Sequence, residues 1–297
     1  MSSEDDFISS LRSICTWKRG YERAPHKPLM LLLALGKLSS GNKKLTYSDC
    51  HKELTELLRE FGPIRSKYHP EYPFVRLQSD GLWEVEPAQY FVQRQSDTDP
   101  TSRELLDISA VGHFTPEILR IFTLRPSAIE RAAETLLATH FPESLHSDIR
   151  SAVGLLDKNT TSSSRYRSPQ FREDILIAYN YACAVCGFSL RLNDKTVGID
   201  AAHIRWVQAG GPDSTNNGLA LCVLHHKLFD LGAFTLSDDS KILVSERVSG
   251  GQHLQKSLLY FHGSHIFKTA RPEHSPHVDF ISWHRDQVFK ERHLPHI

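Results

Sequence analysis

Three cysteines and a histidine in the second half of the chain have the spacing of a metal site. Cys183 and Cys186 are separated by two residues, and Cys222 and His225 recur further along as a second pair. A C-x-x-C pair can bind one side of a metal ion, and residues at i and i+3 of a helix lie on one face. Three thiolates and one imidazole form a closed tetrahedral site of the structural zinc type. The sequence therefore predicts a structural zinc ion bound by these four residues.

The same block contains three polar residues that the zinc ion does not use. They are His203, Asn217 and His226. Imidazoles carry out acid–base chemistry near neutral pH and bind metal ions. The pattern therefore predicts a zinc ion that holds a site together while other residues do the chemistry. Two alternatives stay open: the three residues could be incidental beside a zinc knuckle, and His225 and His226 could exchange roles.

Composition limits the class of protein. A chain of 297 residues is long enough for about two domains, and 40% hydrophobic with 24% charged residues is typical of a soluble globular protein. The 35 basic and 35 acidic residues cancel, which argues against non-specific coating of nucleic acid but not against a site-specific reader. The polar, acidic start, the short apolar runs and the widely spaced remaining cysteines predict a cytoplasmic protein without a membrane segment.

Apolar spacing predicts a mostly helical first domain. A β-hairpin is expected where two short β-rich runs, 73–77 and 81–85, flank a Ser-Asp-Gly turn. The clearest predicted helices cover residues 6–17, 27–38, 47–61, 117–122 and 127–140.

A Ser/Thr-rich stretch without apolar periodicity, 157–170, is typical of a linker. It predicts a first domain over residues 1–156 and a second over 171–297, in an α+β chain. Arg165 and Arg167 in the linker could contact a phosphate backbone, or the stretch could be a solvated tether.

The second domain is predicted to contain a ββα unit. The expected elements are helices over 171–179, 217–229 and 280–289, and strands over 197–204, 233–236 and 241–245.

The block from Cys183 to His226 resembles the HNH, or ββα-metal, nuclease superfamily. Its zinc-bearing members read C-x-x-C, then His-Ile, then N-x-x-x-x-C-x-x-C-H, and here His225 stands where the second late cysteine is usual. The resemblance implies that His203 is the general base, that His226 binds a catalytic divalent ion such as Mg²⁺ or Mn²⁺, and that Asn217 orients the base or loop and can reach that ion. Intact residues at these three positions favour an active nuclease.

One position departs from the superfamily pattern. The residue before the strand histidine is usually a second metal ligand, but here it is Ala202. Asp200 shares the strand face of Ala202, because side chains alternate along a strand. We expect Asp200 to replace the missing ligand, with a second-shell or capping role as the alternative.

The first domain resembles the sulfur-binding domain of phosphorothioate-dependent, McrA-like type IV restriction endonucleases. The resemblance rests on segments 23–33, 68–78 and 80–83. Sulfur is larger and less well hydrated than oxygen, so a reader needs an apolar pocket beside cations. By resemblance the pocket is a Tyr-Pro pair, for which Tyr72 and Pro73 are the first choice. Further apolar and basic residues expected to bind the DNA are Tyr68, Pro70, His69, Arg23, His26, Lys27, Arg65 and Arg76.

Together the two resemblances imply a modification-dependent restriction endonuclease that binds phosphorothioated double-stranded DNA and cuts nearby with a divalent ion. Cleavage of both strands needs two nuclease sites or two nicks, so a homodimer is expected. The alternatives are an HNH nuclease directed to methylated or otherwise base-modified DNA, and a catalytically silent, zinc-stabilised DNA-binding protein.

Overall fold

The computed structural model describes residues 3–14, 20–93, 98–155, 168–193 and 195–291. The chain divides into two compact units, of which the first comprises residues 1–19 and 24–160 and the second residues 20–23 and 161–297. The structure is 50% helical and 12% strand, which confirms the α+β class. The domain boundaries expected from the sequence remain a prediction. Within the described ranges, no helix has the length and apolarity that a membrane span requires.

Helices dominate the described part of the first unit. A 3₁₀ turn, Glu143–Leu145, precedes the last of them. The α-helices are α1 Glu4–Arg12, α2 His26–Ser39, α3 Tyr47–Phe61, α4 Glu71–Arg76, α5 Ala88–Gln93, α6 Ser102–Asp107, α7 Pro116–Leu124, α8 Ser127–His140 and α9 His146–Ala152.

Helix α2 forms the centre of the first core. Every residue from Pro28 to Gly36 is buried, so the helix is apolar all round, as expected for a helix enclosed by its neighbours. Helices α3, α4 and α8 pack against it. The position of Pro28 in the first turn is compatible with this helix, because backbone N–H groups there have no intrahelical partner.

The predicted β-hairpin of the first domain is wrong. Residues 73–77 are not a strand, because α4 covers Glu71–Arg76, and prolines at its start suit a first helical turn but cannot supply ladder hydrogen bonds. The second run is a strand, β2 Trp83–Glu86, but its partner is distant in sequence. It pairs antiparallel with β3 Val111–Phe114, which also pairs with β1 Leu45–Thr46.

The second unit is built around an antiparallel strand pair and a helix. The remaining described elements surround them: short strands pair β4 with β5 and β8 with β9, in both cases antiparallel. In chain order the elements are α10 Pro169–Ala178, β4 Arg191–Leu192, β5 Lys195–Thr196, β6 Ile199–His203, β7 Gly218–Cys222, α11 Val223–Asp230, β8 Phe234–Leu236, β9 Ile242–Val244, α12 Gln252–Ser257 and α13 Val278–Gln287.

The ββα order of the second unit is confirmed, but one predicted helix begins too early. Residues 218–222 form strand β7, which pairs with β6 in the register Ile199 to Cys222 and His203 to Gly218. Leu219, Ala220 and Leu221 are all buried, as in a strand covered on both faces. The helix therefore starts only at Val223, and α10 begins at Pro169, slightly before the helix that the sequence predicts from residue 171.

Candidate functional site

The four predicted zinc ligands come together in the second unit. The ligand atoms of Cys183, Cys186, Cys222 and His225 all lie within 4.8 Å of one another. His225 Nδ1 is 3.1 Å from Cys222 Sγ and 3.6 Å from Cys183 Sγ. Three sulfurs and one nitrogen at such spacing suit a tetrahedral ion with bonds of about 2.0–2.3 Å. The donor set therefore fits a metal ion of the structural kind.

The surroundings of His225 and Cys183 favour metal binding. His225 Nε2 lies 2.8 Å from the Ser257 carbonyl oxygen, which can only accept, so Nε2 carries the proton and Nδ1 faces the thiols. The hydrogen bond between the two thiols lowers the pKa of Cys183 and raises that of Cys222, as expected when one thiol donates to a neighbouring thiolate.

His203 is held at the end of β6 by two contacts. Its ring stacks on Phe171 of α10, with centroids 3.9 Å apart and planes 12° from parallel. Its Nε2 lies 2.8 Å from Asp213 Oδ1. A carboxylate at this distance fixes the orientation of an imidazole and stabilises the imidazolium form. His203 and Asp213 thus have the geometry of a positioned general base.

Asn217 is fully buried, and its side chain forms hydrogen bonds within the loop between β6 and β7. Its Oδ1 accepts from the Arg205 backbone N–H at 2.9 Å, and its Nδ2 donates to the carbonyls of Arg205 and Pro212 at 3.0 and 2.9 Å. Gly211 is required here, because a Cβ atom at this position would lie 1.8 Å from the Arg205 carbonyl oxygen. Asn217 therefore shapes the loop that brings Asp213 to His203.

His226 lies on the buried side of α11 beside a carboxylate one turn later. Its Nε2 is 3.2 Å from Asp230 Oδ2, and Asp230 Oδ1 accepts from the Trp206 indole N–H at 3.2 Å. Histidines that bind metal ions are commonly oriented by such a carboxylate through the second ring nitrogen. Asp230, which is 3% exposed, is thus placed to fix the ring of His226.

Asp200 is half-buried and engaged by α10. Its Oδ1 accepts from Arg172 Nε at 3.1 Å, while Arg172 Nη2 donates to the Ile199 carbonyl. In the described ranges, the zinc set is the only group of three or more His, Cys, Asp or Glu side chains close enough to share a metal ion. Asp200 and His226 are therefore not part of a second such group, and a ligand role for Asp200 remains a prediction.

The predicted sulfur-reading residues in the first unit gather around Tyr72. Its ring stacks on His69, with centroids 4.7 Å apart and planes 4° from parallel, and the Arg76 guanidinium lies 4.4 Å from its centroid. Pro73 is buried next to it. Arg76 also bonds Asp99, at 2.8 Å through Nε and 2.7 Å through Nη2.

The other predicted reading residues differ in charge and position. His26 Nε2 lies 3.0 Å from the Tyr68 carbonyl, and burial lowers the pKa of His26, with the positive charges of Arg65, His69 and Arg76 adding to the effect. It is therefore a neutral side chain at pH 7. Lys27 pairs with Asp80 at 2.6 Å.

Pro70 is buried and Arg65 is exposed. Arg23 belongs to the second unit, where its guanidinium stacks on Trp206. Arg165 and Arg167 lie outside the described residues.

Sequence reasoning missed two residues of the nuclease site. The loop between the strands has no periodicity from which a contact of Asp213 with His203 could be predicted. Asp230 lies four residues after His226, and this spacing on a helix is a usable signal for their contact.

An antiparallel strand pair followed by a helix, with a histidine on the first strand and another on the helix, defines a nuclease of the HNH class. Residues 183–237 match the HNH endonuclease family. Residues 4–158 match the family described as ScoMcrA-like, DNA sulfur-binding domain. That match spans more than half of the chain, which belongs to this family. The molecule is accordingly an HNH-type DNA endonuclease with an N-terminal sulfur-binding domain.

Solved structures with similarity to the chain include the sulfur-binding domain of ScoMcrA complexed with phosphorothioated DNA. It is 22% identical, with a TM-score of 0.42, over 50% of this chain and 95% of that one. The corresponding domain of SprMcrA, also complexed with phosphorothioated DNA, is 21% identical with a TM-score of 0.43, over 53% and 97%. The type IV phosphorothioation-dependent restriction endonuclease ScoMcrA is 22% identical with a TM-score of 0.42, over 50% of this chain and 28% of that one. Comparison with curated proteins gives no match.

Proposed function

We propose that this chain is a modification-dependent restriction endonuclease. The first unit binds phosphorothioated double-stranded DNA, and the second hydrolyses a phosphodiester bond nearby. The observation that supports this is the presence, in one chain, of a DNA sulfur-binding domain and an HNH unit whose histidines are both held by carboxylates.

The proposed chemistry assigns one role to each side chain that neighbouring residues fix in position. His203 takes the proton from water, and Asp213 stabilises the imidazolium that results. Asn217 fixes the loop that carries Asp213. His226, oriented by Asp230, is the protein's ligand for the catalytic divalent ion, with Asp200 as the second candidate ligand. When bound, Mg²⁺, Mn²⁺ or a similar ion supplies electrostatic stabilisation of the charge that develops at the scissile phosphate.

Zinc is the proposed ion for the four-residue cluster. Three sulfurs and one nitrogen in a closed set favour Zn²⁺ over Mg²⁺ or Mn²⁺, which prefer oxygen ligands. Its role is to hold α11, through His225, against the Cys183–Cys186 knuckle. The catalytic His226 is the next residue on that helix, so zinc binding and catalysis depend on the same helix position.

Sulfur recognition is assigned to the surface around Tyr72. Tyr72, which is half-buried and lies next to the buried Pro73, offers apolar surface to the poorly hydrated sulfur, while the exposed Arg76 balances the charge of the backbone, with Lys27 as a second candidate cation. Carboxylates hold both cations in the DNA-free protein, so DNA binding has to displace or share those ion pairs. Two nuclease sites are needed to cut both strands together, and a homodimer would supply them.

The test is cleavage of two preparations of one plasmid, with and without phosphorothioates, in Mn²⁺ or Mg²⁺. We expect cutting of the modified plasmid only. His203→Ala should bind modified duplex normally in a gel-shift assay but cut it at least about 100-fold more slowly, because the general base is lost.

Tyr72→Ala should instead lose the preference for modified duplex. Equal cutting of both plasmids by the wild-type protein would overturn the proposal. Selective cutting of a methylated plasmid would replace the modified backbone by a modified base as the substrate.

A further inference from the structure

A four-residue segment from the first part of the sequence is packed into the nuclease unit. Residues 20–23 belong to the second unit, although Ala24 returns the chain to the first. The Tyr21 carbonyl accepts from the Trp283 indole N–H at 2.7 Å. The Arg23 backbone N–H donates to Gln287 Oε1 at 2.9 Å, and Arg23 Nη1 donates to the Gln287 carbonyl at 3.1 Å. The segment is thus hydrogen-bonded to the terminal helix α13.

The side chains of this segment contact two consecutive residues of the loop between β6 and β7, Arg205 and Trp206. The Arg23 guanidinium carbon lies 3.9 Å from the centroid of the Trp206 ring. The guanidinium carbon of Arg205 lies 4.1 Å from the centroid of the Tyr21 ring. Cations held flat on aromatic rings at these distances make favourable contacts that also fix ring position.

Arg205 and Trp206 in turn contact Asn217, which shapes the loop, and Asp230, which orients His226. The Arg205 backbone bonds the Asn217 carboxamide, and the Trp206 indole donates to Asp230, which orients His226. Arg23 and Asp230 also interact electrostatically. Burial lowers the pKa of Arg23 to about 9 and Asp230 opposes that shift, so the guanidinium stays a cation at neutral pH.

We propose that Arg23 is a positioning residue of the nuclease centre, which sets the orientation of His226 through Trp206 and Asp230. The sequence alone assigns Arg23 to DNA binding, so the two roles make opposite predictions. The inference rests on the proposed catalytic role of His226. It also implies that a fragment beginning after residue 160 lacks part of its own active site.

The test compares Arg23→Ala and Arg23→Lys with the wild-type full-length protein. Arg23→Ala should bind phosphorothioated duplex with unchanged affinity but cut it about 10- to 100-fold more slowly, since small misplacement of a catalytic group has effects of that size. Binding of Mn²⁺, followed by electron paramagnetic resonance without DNA, should weaken about 10-fold, as when other groups that orient metal ligands are removed.

Arg23→Lys keeps the charge but not the flat, forked head group, so it should resemble Arg23→Ala. Added methylguanidinium should restore part of the cutting rate of Arg23→Ala only. Arg271→Ala is the control, because that side chain is 72% exposed on the same unit and its nearest carboxylate lies 4.0 Å away. It should behave as wild type in every assay.

Several results would overturn the inference. Loss of duplex affinity with normal cutting at saturating DNA would make Arg23 a DNA contact. If Arg23→Lys behaved as wild type, the positive charge alone would account for the role of Arg23. A slower rate explained by a matching loss of zinc content and folded fraction would make the role structural only. If the wild-type protein fails to cut modified DNA, the proposed function fails, and the Mn²⁺ titration alone then decides whether Arg23 positions His226.

Discussion

The two units hold their functional side chains in different ways. In the nuclease unit, Asn217, His226 and Asp230 are buried, and hydrogen bonds from loop backbone or neighbouring rings fix them. On the surface around Tyr72, which we propose as the reading surface, Arg76 is exposed and pairs with Asp99, and Tyr72 is only half-buried. Fixed contacts of this kind suit the placement of a metal ligand and of the loop beside it, where a displacement of about 1 Å is costly, whereas contacts to a DNA backbone can be made by adjustable side chains. The difference teaches that the rigidity of each site follows from its chemistry.

The largest expected effect comes from disrupting the four-residue cluster that we propose as a zinc site. Cys183→Ser should abolish folding of the second unit, because structural zinc contributes about 10–16 kcal/mol of apparent binding free energy in small zinc domains. The first unit has its own core around α2 and should still bind modified duplex. Zinc content, circular dichroism and gel shift measure the three quantities.

Cys50→Ala is the matched control, since Cys50 is a buried thiol of the first unit, 3.2 Å from the sulfur of Met30. It should leave the zinc content unchanged. Failure of Cys183→Ser to bind modified duplex would show that the two units do not fold independently, and the contrast between them would lose its basis.

The next largest effect concerns Asp213. Asp213→Asn keeps a hydrogen-bonding side chain near His203 but removes the negative charge that stabilises the imidazolium. We expect a cutting rate about 10- to 100-fold lower, with unchanged affinity for modified duplex. The measurement is single-turnover cleavage at saturating DNA, from pH 6 to 9.

Asp279→Asn serves as the comparison variant, because its carboxylate is 77% exposed and 3.7 Å from His277 Nδ1. It should cut at the wild-type rate. A normal rate for Asp213→Asn would remove Asp213 from the site and make the stacking on Phe171 one of the contacts that orient His203 without it.

Within the nuclease unit, the sequence predicts the residues of the motif but not the residue that reaches His203 through a loop. The sequence predicts the motif positions His203, Asn217 and His226 because their spacing is set by a short ββα unit. The contact of Asp213 with His203 is not predictable in this way, because it depends on a loop whose shape is fixed by three hydrogen bonds that involve the Asn217 side chain.

The main errors of fold arose where a local pattern competed with long-range pairing. The sequence predicts a helix through residues 218–222 because Cys222 and His225 have helical spacing. In the structure these residues form a strand that pairs with β6. Residues 73–77 alternate like a strand, but prolines in the first turn favour α4. In both places the decisive information lay in a partner or constraint that apolar periodicity does not contain.

A smaller effect, on the free energy of unfolding, is expected when the pH is lowered. Burial lowers the pKa of His284 to about 3; its ring stacks on Phe229 and its two nitrogens contact Thr235 and the Phe229 carbonyl. Above 6.5, the pKa in the unfolded chain, His284 is neutral in both states, and its full contribution to the free energy of unfolding is present. Between 6.5 and 3 only the unfolded chain takes up the proton, so stability should fall by about 1.4 kcal/mol per pH unit.

The measurement is urea unfolding of wild type and His284→Gln at pH 7.0 and 5.5. The variant should be less stable at both values but should show a shallower loss on acidification. Since burial also lowers the pKa of His26 and His146 in the first unit, the wild-type slope alone would not identify the residue. Equal slopes in the two proteins would mean that His284 is not the titrating group.

The smallest effect is expected on the reading surface, at Asp99. Its side chain is 27% exposed and that of Arg76 47% exposed, so the pair is worth under about 1 kcal/mol. Asp99 nonetheless neutralises a cation that would attract any phosphate, modified or not, and its own charge repels the DNA. Asp99→Asn should therefore strengthen binding to unmodified and to modified duplex by a similar factor, about two- to fivefold at low salt, because both backbones carry one negative charge per linkage.

Competition between modified and unmodified duplexes at low and high salt measures the change in selectivity. The gain should disappear at high salt, because screening removes the repulsion that Asp99 contributes. Asp107→Asn is the control, since this carboxylate is 70% exposed and 3.9 Å from Arg103. A gain of equal size for both duplexes would assign Asp99 to general affinity. A gain for the unmodified duplex alone would mean that carboxylates on the reading surface contribute to discrimination by weakening the contacts that every DNA backbone can make.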